Sequence, residues 1–149
     1  MAEKRNFDSR RGFSYNILGR DTVLSVDLWK KPYKILTYID SIGCSACQMD
    51  IPLWVELIDS CKQQQFNVSF IFIIHSDDFV KLSSDIKLFN FDYPLIYDYQ
   101  NSFDKINNFP PPPYRSFLLD IDNKVKIVGS PIYYPKIWQL YKNILSQTQ

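Results

Sequence analysis

The stretch KILTYIDSIGCSACQMDIP, residues 34–52, runs from an apolar segment straight into two cysteines spaced two residues apart, then to an aspartate and a proline. KILTYID (34–40) is rich in β-branched and aromatic residues and reads as a strand. From Cys47 onward, apolar residues fall at 47, 51, 54, 58 and 61, the spacing of one helix face. The CxxC pair therefore lies where a strand hands over to a helix. Pro52 stands inside the helical stripe, and because the periodicity continues past it, a kinked helix is expected rather than a terminated one.

A strand-to-helix junction is chemically favourable for a thiol pair. Free backbone N–H groups and the positive end of the helix dipole favour the thiolate of Cys44, and Cys47, about one turn on, is placed to attack a mixed disulfide. Cys44 is then the nucleophile and Cys47 the resolving thiol.

Moving outward, DTVLSVDLW (21–29) partly alternates before the turn Lys30-Lys31-Pro32 and suggests an edge or accessory strand. FNVSFIFIIH (66–75) is almost continuously apolar, the mark of a strand covered on both faces, and it ends at Ser76-Asp77, good helix caps. A helix over about 78–89 follows, then a short strand in FDYPLIYD (91–98) and a short helix near 101–108. The run Pro110 to Pro113 forces an extended loop before SFLLDID and KVKIVG, two strands joined at Asp122-Asn123. The last helix, 134–145, is expected to present Ile137, Leu140, Tyr141, Ile144 and Leu145 on one side. Strands alternating with helices imply a parallel core, to which the late hairpin adds antiparallel strands. The fold class is α/β, a mixed central sheet flanked by helices in a three-layer sandwich.

A chain of 149 residues can bury a core without metal or disulfides, so the cysteines need another reason. With 17 basic against 16 acidic residues there is no broad positive field for a nucleic acid, and none is expected as partner. Lys4, Arg5, Arg10 and Arg11 fall in a polar stretch read as a flexible N-terminal segment, 1–20, ahead of a single domain over 21–149. No apolar run approaches the roughly 20 residues of a membrane span, and MAEKRNFDSRRGFSYN lacks the apolar centre of an export signal. Three cysteines, an odd number, argue against a disulfide-stapled secreted fold.

Strand, CxxC, proline five residues after the second cysteine, long apolar strand, and a proline loop leading into a hairpin and a final helix together resemble the thioredoxin-like fold over roughly residues 30–145. Within it the chain looks most like the TlpA/ResA-type thiol-disulfide oxidoreductases, which share features with the alkyl hydroperoxide reductase/thiol-specific antioxidant (AhpC/TSA) group. Their pattern of CxxC, an acidic residue and a proline is met by Cys44, Cys47, Asp50 and Pro52, and FDYPLIYD and SFLLDIDNKVKIVGSP are similar to two further segments of that group. The resemblance implies a redox-active Cys44–Cys47 disulfide with no bound cofactor, and protein thiols or disulfides plus an external redox partner as its partners. It also implies an accessory acid or base at Asp50, a monomer, and a periplasmic or cell-envelope location if an export signal has been removed; a cytoplasmic location is the alternative. The substrate loop falls on Pro113, Tyr114 and Arg115, where the family's cis-proline column lands on Pro113 or Tyr114. Two places depart from the thioredoxin pattern: Gly43 replaces the tryptophan before the first cysteine, and Tyr38 stands where thioredoxins carry a buried aspartate.

Other readings stay open. Zinc needs about four ligands, and beyond the CxxC only Cys61 and His75 are available, each better placed as core or strand-end residue. A peroxiredoxin-like thiol peroxidase would use Ser41 and Arg115 to hold a peroxide, although the family's upstream proline is Thr37 here. A thioredoxin-like binding module without turnover would present aromatics such as Tyr114, Tyr133 and Tyr134.

Overall fold

The computed structural model describes residues 13–17, 20–22, 28–40, 50–108 and 115–147. Its strands are β1 (Phe13–Ile17), β2 (Arg20–Thr22), β3 (Tyr33–Asp40), β4 (Val68–His75), β5 (Leu95–Asp98), β6 (Ser116–Leu119) and β7 (Val125–Val128). Its helices are α1 (Ile51–Gln63), α2 (Phe79–Leu88), α3 (Ser102–Asn107) and α4 (Pro135–Ser146), with a 3-10 turn at Leu28–Lys30.

The strands form one sheet in the order β2-β1-β5-β4-β3-β6-β7. β3, β4 and β5 run parallel, as expected of strands joined through helices, whereas β6 is antiparallel to β3 and β7 to β6. β1 pairs antiparallel with β5, so part of the stretch read as a flexible N-terminal segment instead adds a hairpin to the sheet. The segment read as one strand over 21–29 is divided between β2 and the 3-10 turn.

β3 and β4 are buried through their middles, the pattern of strands covered on both faces. Ile35, Ile39, Phe70, Phe72 and Ile74 face one core, closed by Trp54, Ile58 and Cys61 of α1, Leu82 and Ile86 of α2, and Tyr141 and Leu145 of α4. Leu36, Tyr38, Ile71 and Ile73 face a second core, closed by Trp29 and by Phe103 of α3. The period-two alternation of each strand is what assigns these side chains to opposite faces. Trp54 anchors the first core, edge-on to Phe72 at 5.1 Å and to Phe70 at 6.5 Å between ring centroids.

Several sequence expectations need adjustment. Pro52 does not kink a helix: α1 begins at Ile51, with Pro52 in the first turn, where its missing N–H has no helical partner to lose. Asp50 precedes it in the left-handed conformation, φ 50°, which a continuous right-handed helix excludes. α2 is capped by Asp78, whose carboxylate accepts from Lys81 N at 3.0 Å, while Ser76 Oγ accepts from Asp78 N at 3.1 Å. On α4, Leu140 is 50% exposed and Trp138 takes its place against the core, because the buried stripe is centred on Tyr141 rather than between 140 and 141. The turn before β7 matches expectation: Asn123 has φ 61°, and Asp120 Oδ1 accepts from the N–H groups of Asp122 and Lys124.

Candidate functional site

The C-terminal end of β3 is the place where the fold delivers the cysteine segment, between Asp40 and the start of α1. A cleft of about 180 Å³ opens there, lined by Thr37 to Asp40 of β3, Trp54 of α1, Arg115 and Ser116 at the start of β6, and Ser130, Ile132 and Tyr133 after β7. Its position follows from topology. β3 is central, β6 lies antiparallel beside it, and so the end of β3 meets the beginning of β6 and the end of β7.

Cys44 and Cys47 lie outside the described residues, as do Gly43 and Ser41; so do Pro113 and Tyr114 of the expected substrate loop. Asp50, Pro52 and Arg115 are described. Asp50 is half-buried at the N-cap of α1; its carbonyl accepts from Leu53 N at 3.0 Å and Trp54 N at 3.3 Å, and its side chain makes no cap hydrogen bond.

Arg115 enters the cleft beside Tyr38. Its guanidinium carbon lies 5.6 Å from the Tyr38 ring centroid, its Nη2 is 4.0 Å from Asp104 Oδ2, and its carbonyl accepts from Tyr38 N at 3.0 Å. The phenol of Tyr38 donates to Asn101 Oδ1. Burial, followed by the nearby carboxylates of Asp98, Asp40 and Asp104, raises the Tyr38 pKa well above the usual phenol value, with Arg115 opposing. Tyr38 is thus a neutral phenol at physiological pH, in the place where the thioredoxin pattern puts a carboxylate.

On the other face of β3, Thr37 Oγ1 and Ser116 Oγ share a buried hydrogen bond of 3.0 Å. Two hydroxyls bring two protons, and their mutual bond uses one. Ser130, 3% exposed, adds a third hydroxyl to the wall.

His75 ends β4, in register with Asp40 and on the same face of the sheet. Its Nδ1–H donates to the Asp98 carbonyl at 2.7 Å; since a carbonyl only accepts, the Nδ1 position carries the hydrogen. Asp98, fully buried, accepts from Phe103 N at 2.8 Å and so ties β5 to the start of α3. Asp40 itself is half-buried, yet its Oδ1 atom is buried and has no hydrogen-bond partner among the described residues. Cys61 sits in the first core, its thiol pushed up to about 12 by burial, which makes it unreactive at neutral pH. Among the described residues no group of three or more His, Cys, Asp or Glu side chains could hold a metal ion, and no helix is long and apolar enough to cross a membrane.

Sequence reasoning missed Asp40, Ser116, Ser130 and Ile132. A signal for Asp40 was present: it ends the strand that enters the CxxC, two residues beyond Tyr38 and therefore on the same face. Nothing local marked Ser116 or Ser130, which reach the cleft only through sheet pairing.

No protein-family model and no curated protein matches this chain. Solved structures do. A Bacteroides vulgatus protein assigned provisionally to the thiol-disulfide oxidoreductases matches with a TM-score of 0.66 at 16% identity, covering 96% of this chain and 91% of that one. A secreted disulfide oxidoreductase of Mycobacterium tuberculosis, homologous to Escherichia coli DsbE, matches at 0.59 and 17% identity, covering 94% and 99% of the two chains. AhpC of Enterococcus faecalis matches at 0.61 and 14% identity, covering 91% and 89%. The fold is thioredoxin-like, a mixed sheet with flanking helices shared with these structures.

Proposed function

We propose that this protein is a thiol-disulfide oxidoreductase that exchanges disulfides with protein cysteines through Cys44 and Cys47. What supports the reading is the meeting of sequence and fold: in the sequence the CxxC falls between β3 and α1 of a thioredoxin-like sheet, and a cleft opens at the C-terminal end of β3. In the reducing direction Cys44 thiolate attacks a target disulfide, and Cys47 resolves the mixed disulfide. Asp50, three residues beyond Cys47, is the accessory acid or base of this reading. The exchange needs an external redox partner and no bound cofactor. The secreted M. tuberculosis oxidoreductase supports an extracytoplasmic location, and a single domain acting as a monomer is the simplest arrangement.

Arg115 in the cleft wall favours a second reading, a peroxiredoxin-like thiol peroxidase in which the guanidinium holds a peroxide near the Cys44 thiolate. One experiment separates the two. Cys47→Ser is used to trap mixed disulfides, and peroxide consumption by the intact protein is measured alongside. Disulfide-linked partner proteins support the oxidoreductase. Fast peroxide loss that depends on Cys44 and Arg115 replaces it with the peroxidase. If neither occurs and the cysteine pair shows no reversible oxidation, a binding module is left, for which Tyr133 and Tyr134, both exposed, supply surface aromatics.

A further inference from the structure

We propose that the cleft at the end of β3 binds a small zwitterion of the α-amino acid class, its ammonium group on Asp40 and its carboxylate on Arg115. The inference goes beyond the thiol-disulfide reading and uses neither cysteine. Both charged residues line the cleft.

Each end of such a ligand finds a matching group. Asp40 Oδ1 is buried and without a hydrogen-bond partner among the described residues, an acceptor that lacks a donor. An ammonium group brings three donors and the opposite charge, so it satisfies that oxygen and neutralises the carboxylate together. Arg115 supplies the other half. Its guanidinium stands 5.6 Å from the Tyr38 ring centroid, with Nη2 4.0 Å from Asp104 Oδ2. That contact is longer than a charge-assisted hydrogen bond of about 2.8 Å, and the planar fork of a guanidinium receives a further carboxylate on another edge. Tyr38 and Asp40 share one face of β3, two residues and about 7 Å apart along the strand, so the cation over Tyr38 and the anion of Asp40 are neighbours on one wall.

Charge and size together define the ligand. A lone anion would meet the Asp40 carboxylate and a lone cation the Arg115 guanidinium, whereas a zwitterion is attracted by both. The other polar groups on this face serve the fold: Tyr38 donates to Asn101, His75 Nδ1 to the Asp98 carbonyl, and the Asp98 carboxylate accepts from Phe103 N. A cavity of about 150 Å³ holds benzene, with six heavy atoms, so this cleft of about 180 Å³ takes a molecule of roughly eight, the size of valine. Trp54 and Ile132 give its wall an apolar part for a short branched side chain, and the buried Ser130 adds a hydroxyl.

The test titrates L-valine, L-valinamide and N-acetyl-L-valine into the full-length protein at pH 7, followed by isothermal calorimetry, for the wild type, Asp40→Asn and Arg115→Gln. L-valine is expected to saturate the wild type at one site. Each blocked analogue is expected to bind at least about 10-fold more weakly, since each loses a charge-assisted hydrogen bond. Asp40→Asn should lose the preference for L-valine over its N-acetyl form, and Arg115→Gln the preference over the amide. Absence of saturable L-valine binding by the wild type overturns the inference. Equal binding of either analogue overturns it too, because the amide stands for the N-terminal residue of a peptide and the N-acetyl form for the C-terminal one. In variants whose thermal midpoints show them folded, an equal loss for all three ligands marks a structural role and also overturns the assignment. Should Arg115→Gln not fold, Asp40→Asn decides alone. Mixed-disulfide trapping and peroxide consumption are separate measurements, so the thiol-disulfide reading and this inference fail independently.

Discussion

Tyr38 and Arg115 hold each other twice, through a 3.0 Å hydrogen bond from Tyr38 N to the Arg115 carbonyl and through the guanidinium standing 5.6 Å from the ring centroid. The pair joins the end of β3 to the entry of β6, the two backbones that frame the cleft. Its side-chain half is testable. In a double-mutant cycle of Tyr38→Leu and Arg115→Ala, followed by urea unfolding, a coupling of about 0.5–1 kcal/mol is expected. A coupling of zero would show that the ring and guanidinium are neighbours without attraction.

The Thr37–Ser116 hydroxyl pair should behave asymmetrically. Thr37→Val leaves Ser116 Oγ buried without its partner and is expected to cost about 1–3 kcal/mol, whereas Thr37→Val with Ser116→Ala removes both polar groups and recovers most of the loss. Denaturant midpoints of the two variants decide it; a double variant less stable than the single one rules the argument out.

Stability should fall at alkaline pH. Burial raises the pKa of Cys61 to about 12, and raises Tyr38, Tyr93 and Tyr141 above the ordinary phenol value. In each case the folded protein retains a proton that the unfolded chain releases. The stabilisation is therefore complete below the unfolded pKa values, roughly 8.5 for cysteine and 10 for tyrosine, and is lost as pH rises beyond them at about 1.4 kcal/mol per pH unit per group. Thermal midpoints from pH 7 to 11 should be level at first, decline from about pH 8.5, and steepen near pH 10. The Cys61→Ala variant should lose the first part of that decline.

Trp54 is 2% exposed, packs edge-on against Phe70 and Phe72, and lines the cleft. Trp54→Ala is expected to destabilise by about 3–5 kcal/mol. The gentler Trp54→Phe, which keeps an aromatic edge against Phe72, should lose less than half as much in the same unfolding measurement.

The sequence by itself determined the order of strands and helices from β3 onward, because the pattern of apolar residues is a local record of which faces are buried. The apolar run of β4 and the stripe at Ile51, Trp54, Ile58 and Cys61 are both where periodicity put them. Spacing also singled out the CxxC, and the resemblance to the TlpA/ResA-type proteins pointed to Asp50. Helix entry was less legible: Pro52 is compatible with a kink or a first turn, and the left-handed Asp50 that chooses between them leaves no mark in a hydrophobic pattern. Nor did local pattern show that residues 13–17 would find a place beside β5, since pairing at a sheet edge depends on a partner strand about eighty positions away. The cleft belonged to tertiary structure alone. Thr37 meets Ser116 across 79 positions, and Tyr38 meets Asn101 across 63, through sheet register and the seating of α3. Asp40 was visible as a residue, but its buried oxygen, without a partner among the described residues, appears only once the neighbouring strands are in place, because desolvation is a property of the packed surroundings and not of the side chain.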